Sequence, residues 1–100
     1  MQNRFGTDQW KDGILYKGNY DMGRKEGYGE YKWSNGCKYK GFWKDNKLFG
    51  KGIKIWDDGT KYEGNWENDK SNGYGTFYHT DGDVYQGNWK NNRLMEKVYI

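Results

Sequence analysis

The chain has 100 residues, which allow one domain, and with 33% hydrophobic residues and a mean hydropathy of -1.38 it cannot fill a thick globular core. Aromatic residues make up 20% of the chain, and their large rings suit a thin folded structure and argue against disorder. The net charge is +3, but basic residues predominate in the segment 16–61 and acidic residues in the segment 62–84. A nucleic-acid-binding surface would keep one sign along its length and would favour arginine over lysine, so this distribution argues against one.

Residues 1–15 look like the second half of a sequence unit that recurs every 23 residues. Gly6, Trp10 and Gly13 each have a counterpart of the same type 23 residues later, whereas Arg4 stands where the later copies have glycine. The segment contains no apolar run of the length that a signal peptide or a membrane span requires. We interpret it as a partial copy that caps an array of repeats.

Three full copies follow at residues 16–38, 39–61 and 62–84. Each copy opens with a Tyr-x-Gly-x-aromatic segment, continues with a Gly-x-Gly pair and closes with an Asx-Gly pair. A fixed period of this length is typical of stacked supersecondary units. Because glycines are frequent and the opening segment alternates with a period of two, each copy is predicted to form two short strands and no helix.

Residues 85–100 begin a fourth copy at Tyr85, but Glu96 and Val98 replace its glycine pair. The pattern therefore fails at the same position at both ends, as it does in the capping units of repeat proteins. We interpret residues 1–100 as one array with a partial copy at each end.

The Asx-Gly pairs are predicted to be hairpin turns, and six-residue links such as residues 44–49 are predicted to be longer loops at the opposite edge. A three-residue turn that ends in a bulged glycine would pair Tyr31 with Tyr39 and Gly29 with Gly41. This register places the glycines and the recurrent aromatic residues on one face, where the rings can cover the glycines.

The predicted fold is all-β: a single-layer twisted antiparallel sheet of successive β-hairpins, with eight strands and a length of about 40 Å. The recurrent aromatic residues are predicted to form its core. Since a single layer leaves rings partly exposed, they are also predicted to form a shallow groove for a partner peptide or helix. These residues are Tyr16, Tyr20, Tyr31, Trp33, Tyr39, Trp43, Trp56, Tyr62, Trp66, Phe77, Tyr85 and Trp89.

The unit of Tyr-x-Gly-x-(Trp/Tyr), Gly-x-Gly and Asx-Gly resembles the MORN (membrane occupation and recognition nexus) repeat over nearly the whole chain. The chain departs from the pattern at Lys54, where the neighbouring copies have Tyr31 and Phe77, and at His79, where they have tryptophan. The resemblance implies a single-layer antiparallel sheet of hairpins. It also implies a role in binding and assembly, since MORN arrays occur in junctional membrane proteins, phosphatidylinositol phosphate kinases, ciliary radial spokes and cytoskeletal scaffolds.

Residues that break the repeat in the second full copy are candidates for binding a protein partner. Phe42 stands where the other copies have asparagine, and Ile53 and Ile55 stand where the first copy has Glu30 and Lys32. In the predicted register these three residues face away from the aromatic side chains, so no requirement of the fold explains them. The predicted partner-binding residues are Phe42, Leu48, Phe49, Ile53 and Ile55.

Lysines are frequent in the first two full copies and provide an alternative surface for anionic membrane lipid, centred on Lys38, Lys40 and Lys44. The sequence therefore predicts a non-enzymatic scaffold for protein–protein interaction in a cytoskeletal or ciliary assembly. The alternatives are a peripheral phosphoinositide-binding module and the accessory array of a larger enzyme. We expect a cytoplasmic location, at the cytoskeleton or cilium or peripherally on membranes, and exposed edge strands offer a route to homodimers.

No residue is predicted to be catalytic, and no cofactor or metal is expected. His79 is the only histidine and takes the place of an aromatic residue of the repeat. Cys37 is the only cysteine, so an internal disulfide is excluded and a reducing compartment is expected. The acidic pairs at Asp57-Asp58 and around Asp81 lack the ligand spacing of a calcium loop and are predicted to be turns.

Overall fold

A computed structural model describes residues 3–98 of the chain, and the side chains of residues 4–95. The described residues form one antiparallel sheet in which each strand pairs with the next along the chain, and its longest dimension is 43 Å. This architecture confirms the predicted single layer of successive hairpins. The strands are β1 (Asn3–Gln9), β2 (Leu15–Asp21), β3 (Arg24–Lys32), β4 (Lys38–Lys44), β5 (Lys47–Ile55), β6 (Lys61–Glu67), β7 (Lys70–Tyr78), β8 (Val84–Lys90) and β9 (Arg93–Val98).

The described part of the sheet has nine strands, one more than predicted. The prediction of eight was wrong because residues 84–98 form two strands, β8 and β9, with Asn91 and Asn92 turning the chain between them. Among the described residues there is no helix long and apolar enough to span a membrane.

The Asx-Gly hairpins have the predicted geometry. Between β3 and β4, Trp33 and Cys37 are joined by a backbone hydrogen bond of 2.9 Å, which closes a three-residue turn ending at Gly36 with φ of 96°. The side chain of Asn35 accepts the Cys37 N–H at 3.0 Å and holds the turn. This turn pairs Tyr31 with Tyr39, which confirms the predicted register.

The opposite turns correct a prediction, because residues 44–49 do not form a six-residue loop. Lys44 pairs with Lys47, and only Asp45 and Asn46 lie between the strands, with φ of 53° and 68°. Positive φ at both central residues is the requirement of a type I′ turn, and Asp and Asn tolerate it better than most residues. The strands are therefore longer than predicted, and β5 begins at Lys47.

The second residue of these two-residue turns also links each repeat to the preceding one. Asn46 accepts the Lys25 N–H with its side-chain oxygen at 2.9 Å and donates its own N–H to the Lys25 carbonyl at 3.2 Å. A backbone group that the adjacent bulge leaves unpaired is satisfied in this way. The same pair of bonds joins Asp69 to Leu48 and Asn92 to Ser71.

The first glycine of each Gly-x-Gly pair allows a bulge in the second strand of the repeat. Gly27, Gly50 and Gly73 have φ of 79°, 79° and 93°, a conformation that side-chain-bearing residues rarely adopt. In β9 the corresponding residue is Glu96, which pairs with Asn88 while Lys97 pairs with Gly87. In β7, the second glycine of the pair, Gly75, lies opposite Gly64. Its counterpart in β9 is Val98, but Lys97 takes the place opposite Gly87, so the register of β9 differs from that of the full repeats by one residue.

On one face of the sheet, paired strand glycines form a shallow trough, and tyrosine rings cover it. Tyr16, Tyr39 and Tyr62 are 0%, 0% and 2% exposed, although the sheet is a single layer. A β-carbon added at Gly29 would lie 2.6 Å from Cζ of Tyr16, so only glycine leaves room for the ring. Large rings over bare strand glycines compensate for the packing that those glycines lack. We call this surface the trough face and the opposite surface the outer face.

Candidate interaction surfaces

Tryptophan rings form a second tier on the trough face. Trp43 packs edge to face against Tyr16 and Tyr39, with ring centroids 5.6 and 5.3 Å apart, and so connects two repeats. Its indole N–H donates to the Gly29 carbonyl at 3.2 Å. The equivalent Trp66 and Trp89 bond to carbonyls in the same way. The polar ends of these tryptophans are therefore already used inside the sheet.

The structure brings the predicted aromatic residues together on the trough face, but with unequal exposure. Five of them are buried: Tyr16, Tyr39, Trp43, Tyr62 and Trp66. The others are half-buried along the same face: Tyr20, Tyr31, Trp33, Trp56, Phe77, Tyr85 and Trp89. The half-buried rings leave an apolar strip, but the trough as a whole is filled by its own side chains.

Burial keeps the trough tyrosines neutral. Desolvation raises the pKa of Tyr16 and of Tyr62 from 10.0 to about 12, and it raises the pKa of Tyr39 further still. The Tyr39 hydroxyl donates to the Phe42 carbonyl at 2.9 Å. A phenol in this environment holds its proton and a fixed hydrogen bond, so these tyrosines act as packing groups and not as acids or bases.

Two lysines also lie on the trough face. Lys54 takes the place of an aromatic residue, and its Nζ lies 4.8 Å from the ring centroid of Trp33 and 5.1 Å from that of Trp56. Lys25 places its Nζ 5.3 Å from the Tyr16 ring. Each such contact is worth about 0.5–1 kcal/mol at a partly exposed site. Sequence analysis identified Lys54 as a departure but missed the role of Lys25, which occupies the place of Leu48 in the next repeat.

The placement of Leu48 corrects the predicted partner-binding set. Leu48 was placed in a loop, whereas it lies in β5 opposite Trp43 and is 3% exposed in the core of the trough face. The two-residue turn causes this placement, because it starts β5 at Lys47 and points the next side chain into the trough. Leu48 therefore packs in the core and presents no surface to a partner.

The other four predicted partner-binding residues lie in adjacent strands on the outer face. Phe42 and Phe49 are 48% and 39% exposed, and Ile53 and Ile55 are half-buried. They alternate along β4 and β5 with the residues that face the trough. We call this group, made of Phe42, Phe49, Ile53 and Ile55, the β4–β5 patch.

Phe42 replaces a residue that makes a hydrogen bond in the flanking repeats. The amide nitrogen of Asn19 donates to the Tyr28 carbonyl at 3.0 Å, and that of Asn65 donates to the Tyr74 carbonyl at 3.1 Å. A phenylalanine cannot make this bond, and the Phe42 ring instead contacts Tyr28 edge to face at 5.8 Å. The second repeat thus gives up a hydrogen bond and keeps a half-exposed ring.

Lysines surround the β4–β5 patch. Lys38, Lys40 and Lys44 are exposed on the same face of β4 as Phe42, and Lys44 Nζ lies 5.1 Å from the Phe49 ring. Lys40 pairs across the strands with Glu30 on one side and Ile53 on the other. The structure therefore gathers the predicted lipid-binding lysines and the apolar residues into one surface.

The remaining candidate residues lie in turns. His79 is exposed, with Nδ1 3.1 Å from the Asp81 carboxylate, and Cys37 is buried beside its turn. Hydrogen bonds from Thr60 lower the pKa of Asp58, which holds the equivalent Asx turn of the second repeat. Within the described part of the chain, no three His, Cys, Asp or Glu residues come together as metal ligands.

Comparison with known families identifies the repeat. The family model described as MORN repeat matches residues 16–38, 39–61, 62–84 and 85–96. A comparison of the sequence with curated proteins finds no match.

Proposed function

The chain belongs to the MORN repeat family, and from that membership we propose that it is a scaffold that binds a protein partner in a cytoskeletal or ciliary assembly. MORN repeats are non-catalytic modules that act as interaction scaffolds for proteins and membranes. The cytoskeletal or ciliary setting is supported by the occurrence of such arrays in radial spokes and protist scaffolds.

The exposure of Phe42 is the observation that carries the proposal. Its counterparts Asn19 and Asn65 hydrogen-bond to carbonyls, so the fold itself favours asparagine at this position. The Phe42 ring is 48% exposed, and its edge-to-face contact with Tyr28 replaces a hydrogen bond of similar strength, so the fold does not require a ring at this position. Half-exposed aromatic residues in an apolar patch are typical of protein interfaces.

The lysines around the patch indicate the chemistry of the partner. A side chain or segment that covers the β4–β5 patch meets apolar groups at the centre and ammonium groups at the rim. Apolar centres with polar rims are the usual arrangement of protein interfaces. We therefore infer a partner segment with an apolar face flanked by acidic residues.

The test replaces the patch by the residues of the neighbouring repeats. The variant Phe42→Asn/Ile53→Thr/Ile55→Lys uses the residue types found at positions 19, 76 and 32, so each new side chain already fits this fold. Immobilised wild-type chain and variant are compared for the proteins that they retain from a lysate, and their thermal unfolding is compared in parallel. We expect the variant to lose a stoichiometric partner and to unfold at an unchanged temperature.

Equal retention of the same proteins by wild type and variant would contradict the proposal. A second control changes a half-buried ring of the trough face through Trp56→Phe, which is expected to leave partner retention unchanged. Loss of binding in this control but not in the patch variant would move the interface to the trough face.

Binding to anionic lipid is the second candidate, because Lys38, Lys40 and Lys44 are exposed on the same face of β4. Each such lysine contributes about 1 kcal/mol near an anionic membrane. Co-flotation with phosphatidylinositol bisphosphate liposomes that disappears in Lys38→Gln/Lys40→Gln/Lys44→Gln would support this candidate. Absence of flotation by the wild-type chain at physiological salt would leave the protein partner as the function of this surface.

A further inference from the structure

Strand β1 has an open edge. Among residues 3–98, β1 pairs with β2 on one side and with no strand on the other, whereas β2 to β8 pair on both sides. The outer row of backbone N–H and C=O groups of such a strand is a template for a further strand. Addition of a strand to a sheet edge is a common mode of peptide recognition.

Inside the sheet, the Tyr-x-Gly strands β2, β4 and β6 each cover a glycine of the strand that follows. Tyr39 lies opposite Lys54 in β5, and its ring folds back over Gly52, where an added β-carbon would lie 2.6 Å from Cε1 of Tyr39. Tyr62 covers Gly75 in the same way, at 2.8 Å from its Cε1. These glycines are therefore seats for a tyrosine that comes from the adjacent strand.

Gly6 is the equivalent seat in β1, and it lacks this cover. It stands 23 residues before Gly29 and pairs with Gly18, as Gly29 does. A β-carbon added at Gly6 would meet only the Tyr20 ring, at 3.4 Å. The surface around it is a depression lined by Arg4, Phe5, Gly6, Thr7, Asp8, Tyr20, Met22 and Gly23.

We propose that the open edge of β1 binds an extended segment that contains the sequence Tyr-x-Gly. The pairing of β4 with β5 gives the expected register, in which the tyrosine of the segment lies opposite Asp8 and its glycine opposite Gly6. The residue between them lies opposite Thr7 on the outer face. The tyrosine ring covers Gly6 as Tyr39 covers Gly52.

The proposed occupant is a Tyr-x-Gly segment of another protein, since within residues 3–98 neither edge strand of a second copy supplies such a segment. Every Tyr-x-Gly strand of the described chain, namely β2, β4, β6 and β8, is already paired on both sides. The other edge strand, β9, contains no tyrosine in its sequence Arg-Leu-Met-Glu-Lys-Val. Direct pairing of two edges would therefore leave the tyrosine seat at Gly6 empty.

Two charged residues select against other strands. Arg4 and Asp8 flank Gly6 on the trough side of β1, where Arg4 pairs with Tyr20 and the Asp8 carboxylate accepts the Tyr20 hydroxyl. Charged side chains on an edge strand disfavour pairing with uniformly apolar strands. A Tyr-x-Gly segment avoids this conflict because its glycine lies opposite Gly6 and its ring fits between the two charged groups.

The test uses a synthetic peptide with the sequence of Lys38–Lys44, Lys-Tyr-Lys-Gly-Phe-Trp-Lys, labelled with a fluorophore and titrated with the full chain. We expect saturable binding by fluorescence anisotropy. The same peptide with alanine in place of tyrosine is expected to bind at least about tenfold more weakly, because it cannot fill the seat at Gly6. The same loss is expected for the Gly6→Val chain with the unchanged peptide.

Gly6→Val separates binding from folding. An added β-carbon meets only the Tyr20 ring, at van der Waals distance, and β1 is an edge strand, so we expect the variant to keep its circular dichroism spectrum and melting temperature. A second pair of variants tests the register independently of that substitution. For this test, the residue between tyrosine and glycine in the peptide is replaced by a cysteine that carries an aromatic thiol as a disulfide. The introduced thiolate of the Thr7→Cys variant should displace that thiol and form a mixed disulfide with the peptide. The Asp8→Cys variant should not, because position 8 lies on the other face.

The proposal is overturned if the peptide does not bind, if the peptide that lacks tyrosine binds equally well, or if Gly6→Val binds the peptide fully. Equal cross-linking of Thr7→Cys and Asp8→Cys would also overturn it, since the proposed register places only position 7 beside the peptide residue.

Discussion

The two faces of this sheet follow the 23-residue period to different degrees. On the trough face every full repeat has the same tyrosine over the same glycines, and Tyr16, Tyr39 and Tyr62 are all fully or almost fully buried. On the outer face the same strands carry Asn19, Phe42 and Asn65 at one repeat position. The period is therefore strict where rings cover glycines and relaxed where side chains face away from them.

The difference has a physical cause. A single-layer sheet has no second layer to cover its apolar face, so the trough face must bury itself with rings that each remove roughly 150–250 Å² from water. The rings also connect neighbouring repeats, as Trp43 does between Tyr16 and Tyr39. A change in such a ring therefore alters the packing of two repeats at once.

This comparison teaches where binding residues are to be sought in such an array. Departures from the period on the trough face are compensated inside the fold, as Lys54 is by its contacts with Trp33 and Trp56. The departure at Phe42 has no such compensation apart from the Tyr28 ring, since the bond made by asparagine elsewhere is lost. We therefore propose that departures of this kind on the outer face are the residues that a partner would contact.

The largest effect is expected on the trough face, from Tyr39→Ala. This substitution removes a fully buried ring that covers Gly41 and Gly52. It also removes the ring that contacts both Trp43 and Trp66. We expect it to lower the free energy of unfolding by about 3–5 kcal/mol, as other buried aromatic truncations do. Urea denaturation followed by tryptophan fluorescence measures this change.

Tyr39→Phe is the matched control. It keeps the ring over the glycines and removes only the hydroxyl bond to the Phe42 carbonyl, so a loss of about 1 kcal/mol is expected. If both substitutions had the same small effect, the cover of glycine by tyrosine would not be the main stabilising contact of the trough face.

A second, smaller effect on the trough face is loss of stability at alkaline pH. The pKa of Tyr16 and of Tyr62 is raised from 10.0 to about 12 because burial disfavours the phenolate. Ionisation is easier in the unfolded chain, so this contribution to stability is fully present below pH 10 and falls as the pH rises from 10 towards 12. Unfolding measured by circular dichroism should therefore become easier over that range.

Tyrosinate absorbance checks this expectation directly. Tyr16→Phe removes one of the raised groups, so its stability should fall less steeply between pH 10 and 12 than that of the wild-type chain. Ionisation of all ten tyrosines near pH 10 with the sheet intact would show that the trough face admits water to its hydroxyls.

Most of the fold could be predicted from the sequence because the same glycine and aromatic positions recur in every full copy, and each copy supports the same pairing of strands. The pairing of Gly29 with Gly41 and of Tyr31 with Tyr39 followed from the need to put glycines and rings on one face, and the structure has this register. The Asx-Gly turns were predictable because glycine at positive φ leaves a specific mark in the sequence.

The two-residue turns were missed because their residue pairs differ between repeats: Met22-Gly23, Asp45-Asn46, Asn68-Asp69 and Asn91-Asn92. Only the tolerance of positive φ is common to them, and this property is weaker in Asp and Asn than in glycine. Because the two-residue turn was not predicted, Leu48 was assigned to a loop, whereas it lies in the core. The length of a turn decides which face each following residue occupies. The sequence shows that residues 1–15 lack the Tyr-x-Gly half of the unit, but the consequence for Gly6 depends on which glycine each tyrosine covers, and the structure shows this.

The smallest effect is expected on the outer face, from Phe42→Asn. The new side chain can donate to the Lys51 carbonyl as Asn19 and Asn65 donate to Tyr28 and Tyr74, and this gain is offset by loss of the ring contact with Tyr28. We expect the free energy of unfolding to change by less than about 1 kcal/mol, in the stabilising direction.

A loss in urea denaturation as large as that of Tyr39→Ala would place Phe42 in the core and remove the distinction between the faces. A neutral or stabilising result means that the half-exposed ring is retained for something other than the stability of the isolated chain, and that the two faces of one strand serve different ends.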